Sequence, residues 1–543
     1  MISLMTSRDL HHAPLPVNGS SPAFENELRT ETAANLTENL TANPAEQSAD
    51  LPRLINSVIL PGFVGTTVPQ WLETALENGL AGVVYFSHNI DPDAPEQVSS
   101  LSAAIRAANP HAVIGVDEEG GNVTRLQSRD GSSIPGAAAL GALNELATTQ
   151  AAGRAIGRLC RDAGINLTIA PVADVNTNPL NPVIGVRAFG TDTALVSAHT
   201  AAAVTGIQSL RVAACAKHFP GHGDTVADSH MDTARVELTM AQMSEFHLPP
   251  FQAAVDAGVA SMMSAHIIIP ELGEAPATLN PAASALLRDM GYDGVLITDA
   301  LDMAAVRATV GPGEGGVLAL LAGNDLLCVG NPLNAYTTGR DDESCYTEVY
   351  DALFAAATSG RLPLEVLRRA AARVQALAQW SSGDITEGVD DDVDWVSVAA
   401  RACRFDSPGA KPALTGAGSV TLVDARTGHN MAAGPTENFL ATALGSYGVT
   451  ILDAAELSGA EVEVALMQSQ ASPAGSSTVL VLIDSLASAQ QLETLELAFT
   501  TAPQAVCINA GLAPASPTGF ATVHAHGFSR VTAQAIVRVL ESA

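Results

Sequence analysis

Apolar positions in the first two thirds of the chain fall into short unbroken runs, separated by stretches with helical spacing. Such apolar runs are typical of strands that are buried on both faces of a parallel sheet. Eight strands are predicted, at 57–65, 81–89, 112–121, 165–175, 212–216, 260–269, 294–301 and 325–330. Helices are predicted between them, including long ones over 138–163 and 346–380. The pattern favours an α/β fold with a (β/α)8 TIM-type barrel, and a doubly wound open sheet is the alternative.

The remaining segments predict the domain organisation. Residues 1–50 are polar and contain scattered prolines, which is typical of a disordered arm, so the catalytic barrel is predicted over 51–380. An acidic, glycine-containing linker is predicted over 381–396. Apolar strands then alternate with helices over 397–543, which predicts a smaller three-layer α/β/α domain. This part has no G-x-G-x-x-G motif, so no nucleotide site is indicated.

Composition limits the partners and the compartment. The 543 residues carry a formal net charge of −31, which argues against nucleic acid as a partner. No apolar run is long enough to span a membrane, and the first residues lack the order of a secretory signal, so a cytoplasmic location is expected. The six cysteines are widely spaced without a C-x-x-C pair, which indicates neither a disulfide framework nor a metal site.

Polar residues stand at the carboxyl ends of the predicted strands and not at their starts. They are Asp117, Asp174, Lys217, His266 and Asp299. Barrel enzymes carry their active sites at this end, so these side chains are expected to converge at the mouth of the barrel. An open sheet would also bring them together.

The loop at 217–230, KHFPGHGDTVADSH, contains far more ionisable side chains than a connecting loop needs. One residue separates Asp228 from His230, so in an extended segment the carboxylate can bind one imidazole nitrogen. The other nitrogen is then available for proton transfer near neutral pH. Single His or Asp residues in loops are usually only solvated, but this density and spacing favour a catalytic function.

Several motifs of the chain resemble those of glycoside hydrolase family 3, and in particular its β-N-acetylglucosaminidase branch. The resemblance covers about residues 55 to 380. Its motifs are VDEEGGNVTRL (116–126), IGVRAFG (184–190), KHFPGHGDTVADSH (217–230), MSAHI (263–267), ITDALDM (297–303) and AGNDLL (322–327).

The resemblance implies a role for each matched residue. Asp299 matches the nucleophile, and His230, oriented by Asp228, matches a general acid/base on a mobile loop. His222 and Asp224 are expected to shape that loop. The residues expected to hold the hydroxyls and the acetamido group of the terminal sugar are Asp117, Arg125, Arg187, Lys217 and His218. No metal and no organic cofactor is expected.

The implied function is a retaining, exo-acting β-N-acetylglucosaminidase that forms a covalent glycosyl-enzyme. Muropeptides of peptidoglycan recycling and short chitin fragments are the expected substrates, and the protein is expected to be a monomer or a homodimer. A phosphorylase remains open, because a histidine acid/base would not repel phosphate as a carboxylate would. A β-glucosidase is disfavoured by Ala300, where that branch generally has Trp. A catalytically inactive sugar-binding protein is the alternative from another class.

Overall fold

The computed structural model contains two α/β domains that follow each other along the chain. It describes residues 44–226, 234–334, 340–385, 392–406, 414, 418–426, 437–471, 477–514 and 516–542. Residues 1–43 of the predicted arm and residues 386–391 of the predicted linker lie outside this part. The domain boundaries drawn from the sequence therefore stay predictions.

The first domain is built around eight parallel strands, which confirms the predicted barrel. The strands are β1 (Ile59–Pro61), β2 (Gly82–Tyr85), β3 (Val113–Val116), β4 (Leu167–Thr168), β5 (Ala213–Phe219), β7 (Ser261–Ser264), β9 (Val295–Thr298) and β10 (Leu327–Gly330). A short separate pair, β6 (Ala234–Arg235) and β8 (Ile267–Ile268), lies outside this set.

Hydrogen bonds close the barrel almost completely. Strands β2, β3, β4, β5, β7 and β9 form one continuous sheet, and β10 pairs with β1. A parallel bridge between Ile297 and Leu326 joins β9 to β10. The N–H of Ala81 donates to the carbonyl of Asn56 at 2.9 Å, which connects the start of β2 to the start of β1. All strands run the same way, so their carboxyl ends share one mouth.

Helices surround the strands and close the other end of the barrel. The longer helices of this domain are Pro44–Asn56, Gln70–Glu77, Gln97–Ala108, Ala137–Leu143, Leu146–Asp162, Thr193–Gln208, Pro249–Asp256, Pro281–Asp289, Pro312–Leu321, Asp342–Thr358 and Leu364–Ser381. Val374, Leu377 and Ala378 of the last helix pack among the side chains of the strands. This helix therefore closes the barrel, as the sequence predicted for its segment.

Two predicted long helices are each broken into two. Asn144 adopts a left-handed conformation with φ 51°, which ends the helix Ala137–Leu143 and separates it from Leu146–Asp162. In the segment 346–380, the first helix ends at Thr358, and Pro363 precedes the next one. Asn tolerates the left-handed region and Pro favours the first position of a helix or the residue before it, so both breaks have local causes.

The second domain is a mixed six-stranded sheet. Its strands are β11 (Arg404–Asp406), β12 (Ser419–Asp424), β13 (Gly448–Asp453), β14 (Thr478–Ile483), β15 (Val506–Asn509) and β16 (Thr522–His524). They lie in the order β11-β16-β15-β14-β12-β13, and only β11 is antiparallel to its neighbour. The helices are Trp395–Ala402, Phe439–Ala443, Gly459–Gln470, Ala489–Thr501 and Arg530–Glu541.

Helices cover both faces of this sheet. One apolar cluster joins the strands to the helices at 439–443 and 530–541, and another joins them to the helices at 459–470 and 489–501. The predicted three-layer arrangement is thereby confirmed. In the described part of the chain, no helix combines the length and the apolar character needed to cross a membrane.

Candidate active site

The candidate site lies at the carboxyl ends of the barrel strands. Asp117 directly follows β3 and Asp299 directly follows β9. Lys217 and His218 are among the last three residues of β5. Because the strands are parallel and closed, these positions face one another around the mouth. The convergence that the sequence predicted is therefore present.

Lys217 lies between two carboxylates at the floor of the mouth. Its Nζ is 2.9 Å from Oδ1 of Asp117 and 2.6 Å from Oε1 of Glu119. Only 2% of its side chain is exposed. Burial alone would lower the pKa of Lys217, but the charges of Asp117 and Glu119 outweigh it and raise the pKa. The lysine thus stays cationic and can donate to a hydroxyl of a ligand.

Glu119 also binds Arg187 in a two-point ion pair. Nε of Arg187 donates to Oε2 at 3.0 Å and Nη2 donates to Oε1 at 2.8 Å. Burial alone would raise the pKa of Glu119, but the charges of Arg187 and Lys217 outweigh it and hold the pKa well below its usual range. A third bond runs from Nη1 of Arg187 to the carbonyl of Val183 at 3.1 Å. Glu119 therefore fixes the positions of two predicted sugar-binding cations.

Asp117 is held between Lys217 and Arg125, whose Nη2 is 3.7 Å from Oδ2 of Asp117. Burial would raise the pKa of Asp117, but the Lys217 and Arg125 charges lower it, so the group is an anion and accepts hydrogen bonds. Oε2 of Glu118 accepts the backbone N–H groups of Arg125 and Leu126, both at 3.1 Å. The loop carrying Arg125 is thus folded around a buried carboxyl.

His218 is oriented by Asp174, which lies beyond β4. Nδ1 of His218 is 2.7 Å from Oδ2 of Asp174, and Oδ1 of Asp174 accepts the backbone N–H of His222 at 2.7 Å. Burial would raise the pKa of Asp174, but the interaction with His218 and the hydrogen bond from that imidazole outweigh burial and lower the pKa. Asp174 therefore fixes both the imidazole of His218 and the turn after β5.

His222 and Asp224 shape the loop, as the sequence predicted. His222 is buried, and burial lowers its pKa to about 4, so the imidazole is neutral at pH 7. Its carbonyl accepts from Nδ2 of Asn181 at 2.8 Å. Oδ1 of Asp224 accepts from the hydroxyl of Thr177 at 2.8 Å. These bonds attach the loop after β5 to the loop after β4.

Asp299 is partly exposed at the mouth, and its backbone is fixed. Its N–H donates to the carbonyl of Ser264 at 3.0 Å, and its Oδ1 accepts the N–H of Ala300 at 2.8 Å. Nε2 of His266 is 2.9 Å from the carbonyl of Ala300, so His266 supports the segment that carries Asp299.

Asp228 and His230 lie outside the described residues, which leave out 227–233. Val226 is 71% exposed, and Ala234 pairs with Ile267, just after β7. The geometry of the predicted acid/base therefore stays a prediction.

Glu119 and the role of Asp174 were missed by the sequence analysis. In extended backbone, residues two apart point the same way, so Asp117 and Glu119 of the DEE triplet share a side and Glu118 takes the opposite one. That spacing was the available signal for Glu119. Among the described residues, no group of three or more His, Cys, Asp or Glu side chains could hold a metal ion.

Comparisons with known proteins agree with this architecture. Residues 66–377 match the model of the glycosyl hydrolase family 3 N-terminal domain. The chain belongs to this family. The β-hexosaminidase of Stenotrophomonas maltophilia is 37% identical over 289 residues, a match that covers 51% of this chain and 84% of that protein.

Two solved structures resemble different lengths of this family 3 chain. A family 3 β-N-acetylglucosaminidase from Paenibacillus sp. FPU-7 is 29% identical, with a TM-score of 0.78 over 91% of this chain and 96% of the other. A β-N-acetylhexosaminidase from Beutenbergia cavernae is 28% identical, with a TM-score of 0.54 over 61% of this chain and 98% of the other. The match to the Paenibacillus structure extends over both domains of this chain. The match to the Beutenbergia structure covers a length close to that of the barrel domain alone.

Proposed function

We propose that this protein is a retaining, exo-acting β-N-acetylglucosaminidase. Asp299 attacks the anomeric carbon of a terminal GlcNAc while the bond to the leaving oxygen breaks, and His230 gives its proton to that oxygen. Neutral His230 then takes a proton from water, whose oxygen displaces Asp299 from the anomeric carbon. The observation that supports this most is the position of Asp299 at the mouth that also holds the buried set of Lys217, Asp117 and Arg187.

The charges of the buried set suit a sugar. Asp117 is anionic and accepts hydrogen bonds from hydroxyls, whereas Lys217, Arg125 and Arg187 donate them. Such groups are already paired with one another before the sugar arrives, so they need little reorganisation to bind it. His218, oriented by Asp174, is proposed to bind an oxygen of the same ring.

The names of the relatives support the specificity for GlcNAc. Proteins named β-hexosaminidase and β-N-acetylglucosaminidase match this chain over most of their own length. We propose muropeptides or short chitin fragments as natural substrates, a monomer or homodimer as the working form, and the cytoplasm as the location. The wide spacing of the six cysteines, without a C-x-x-C pair, fits a reducing compartment.

Product analysis of one aryl β-GlcNAc substrate, with and without phosphate, tests this function. We expect free GlcNAc in both buffers, slower release from the aryl glucoside, and no turnover by Asp299→Ala. The control is Asp293→Ala, whose side chain is 61% exposed on the surface, and it should behave as wild type. GlcNAc 1-phosphate as the product in phosphate would instead identify a phosphorylase, and faster turnover of the glucoside would identify a β-glucosidase. No turnover of any of these substrates by the wild type would favour a binding protein.

The roles of the loop residues have their own test. His230→Ala should form the glycosyl-enzyme normally from substrates with good leaving groups, because such groups need no acid, but it should hydrolyse the intermediate slowly. Single-turnover kinetics separate the two steps. Wild-type activity of His230→Ala on an unactivated disaccharide would contradict the assignment of His230.

A further inference from the structure

The second domain contacts the barrel loop that follows β3. The backbone N–H of Phe528 donates to Oδ1 of Asn122 at 2.7 Å. The N–H of Val531, in the first turn of the helix Arg530–Glu541, donates to the carbonyl of Ser132 at 3.2 Å. First-turn N–H groups have no partner within their own helix, so the barrel loop satisfies a group that would otherwise lack one.

The second-domain side of this contact is tightly held. Phe528 is 4% exposed, and the guanidinium of Arg426 lies 4.2 Å from its ring centre. Asp424 fixes that guanidinium through two bonds, from Nε at 2.9 Å and from Nη2 at 2.7 Å. On the loop side, a Cβ added to Gly131 would lie 2.8 Å from both the backbone nitrogen of Arg530 and the ring of Phe439. The two domains therefore meet here without free space.

The barrel side of the contact is the loop that carries the proposed sugar-binding residues. The N–H of Glu119 donates to the carbonyl of Val123 at 3.0 Å, and the N–H of Gly121 donates to the carbonyl of Ile134 at 2.8 Å. Asn122 therefore stands at the turn of a short hairpin between Glu119 and Val123, just after β3. Asn122, Glu119 and Arg187 also line one pocket. A shift of Asn122 would be transmitted to the carboxylate that holds Arg187 and Lys217.

We propose that the second domain positions the sugar-binding loop, and that Asn122 is the positioning residue through which it acts. The hydrogen bond from Phe528 holds the hairpin in place, and the hairpin fixes the position of Glu119. Glu119 in turn holds Arg187 and Lys217 where they can bind the sugar. Asp299 takes no part in this contact between the domains. Loss of the contact therefore weakens sugar binding more than it slows the chemical step. This inference rests on the proposed function.

Steady-state kinetics of the full-length chain test the inference with aryl β-GlcNAc. We expect Asn122→Ala to raise KM about fivefold with less than about a twofold change in kcat, because one partly buried hydrogen bond between the domains is lost. Asn122→Asp keeps the acceptor oxygen and should restore KM toward the wild-type value. Gly527→Ala places a Cβ 3.0 Å from Oδ1 of Asn122, so it disturbs the same contact from the other domain and should also raise KM.

The matched control is Arg401→Ala, which removes the exposed ion pair between Arg401 and Glu145 that also links the two domains. It should leave KM unchanged, and an increase equal to that of Asn122→Ala would overturn the specific role of Asn122. Wild-type KM in both Asn122→Ala and Gly527→Ala would overturn the inference as a whole. Hydrogen exchange of residues 118–134 should be faster in Asn122→Ala than in Arg401→Ala. This readout needs no turnover, so it distinguishes failure of the inference from failure of the proposed function.

Discussion

Replacing Glu119 by Gln should damage both the stability of the barrel and its binding of sugar. The carboxylate is the shared partner of Arg187, whose side chain is 4% exposed, and of Lys217. Removing one member of a buried ion pair costs about 3–5 kcal/mol, because the remaining charge stays buried without its partner. Asp117 still faces Lys217 at 2.9 Å, and Val183 still accepts from Arg187, so we expect the lower end of this range.

Urea unfolding and steady-state kinetics measure the two effects of Glu119→Gln. The free energy of unfolding should fall by about 3 kcal/mol and kcat/KM should fall at least tenfold. The matched control is Glu274→Gln, since Glu274 pairs with Arg235 at 3.1 Å on the surface, with 78% of the Glu274 side chain exposed. An exposed pair contributes at most about 1 kcal/mol, so this variant should resemble wild type. A Glu119→Gln protein with unchanged stability and unchanged kcat/KM would refute the role given to Glu119.

Three further outcomes follow from the geometry. Burial raises the pKa of Glu118 to about 7 from its ordinary value near 4.5, so the folded protein keeps this proton at higher pH than the unfolded chain does. The stability that protonated Glu118 contributes is therefore lost as the pH rises through about 7. The free energy of unfolding, measured with urea, should differ between pH 5 and pH 8 by about 3 kcal/mol less in Glu118→Gln than in the wild type. The same pH dependence in both proteins would contradict this. Asp174→Asn should lower kcat/KM about tenfold because His218 loses its charged partner at 2.7 Å, and a wild-type value would argue against that orientation. Asn144→Ala should lower the free energy of unfolding, measured by thermal denaturation, by about 1 kcal/mol, because the φ of 51° at this position is unfavourable for Ala. Asn144→Gly should be tolerated at this φ.

The barrel could be predicted from the sequence because its strands are buried on both faces. A strand of this kind needs an unbroken apolar run, and runs such as the one that contains Ile114 and Val116 are visible without any alignment. The broken helices could not be predicted in the same way. The apolar spacing continues across Asn144, and only the backbone conformation of that residue separates the two helices.

The candidate site could be predicted to the extent that its residues follow strands directly. Asp117 and Asp299 are of this kind. Glu119 was missed because its importance depends on partners that are 68 and 98 positions away along the chain, Arg187 and Lys217. Its spacing from Asp117 indicates the side on which Glu119 lies but does not reveal these two pairs. The contact of Asn122 with Phe528 joins residues 406 positions apart and was hidden for the same reason.

Mass spectrometry of the trapped intermediate tests the central claim most directly. His230→Ala mixed with an aryl β-GlcNAc that has a good leaving group should accumulate one GlcNAc per protein, because the second step lacks its base. Peptide mapping should place that sugar on Asp299. A sugar attached to any other residue, or turnover without a covalent adduct in this variant, would contradict the account.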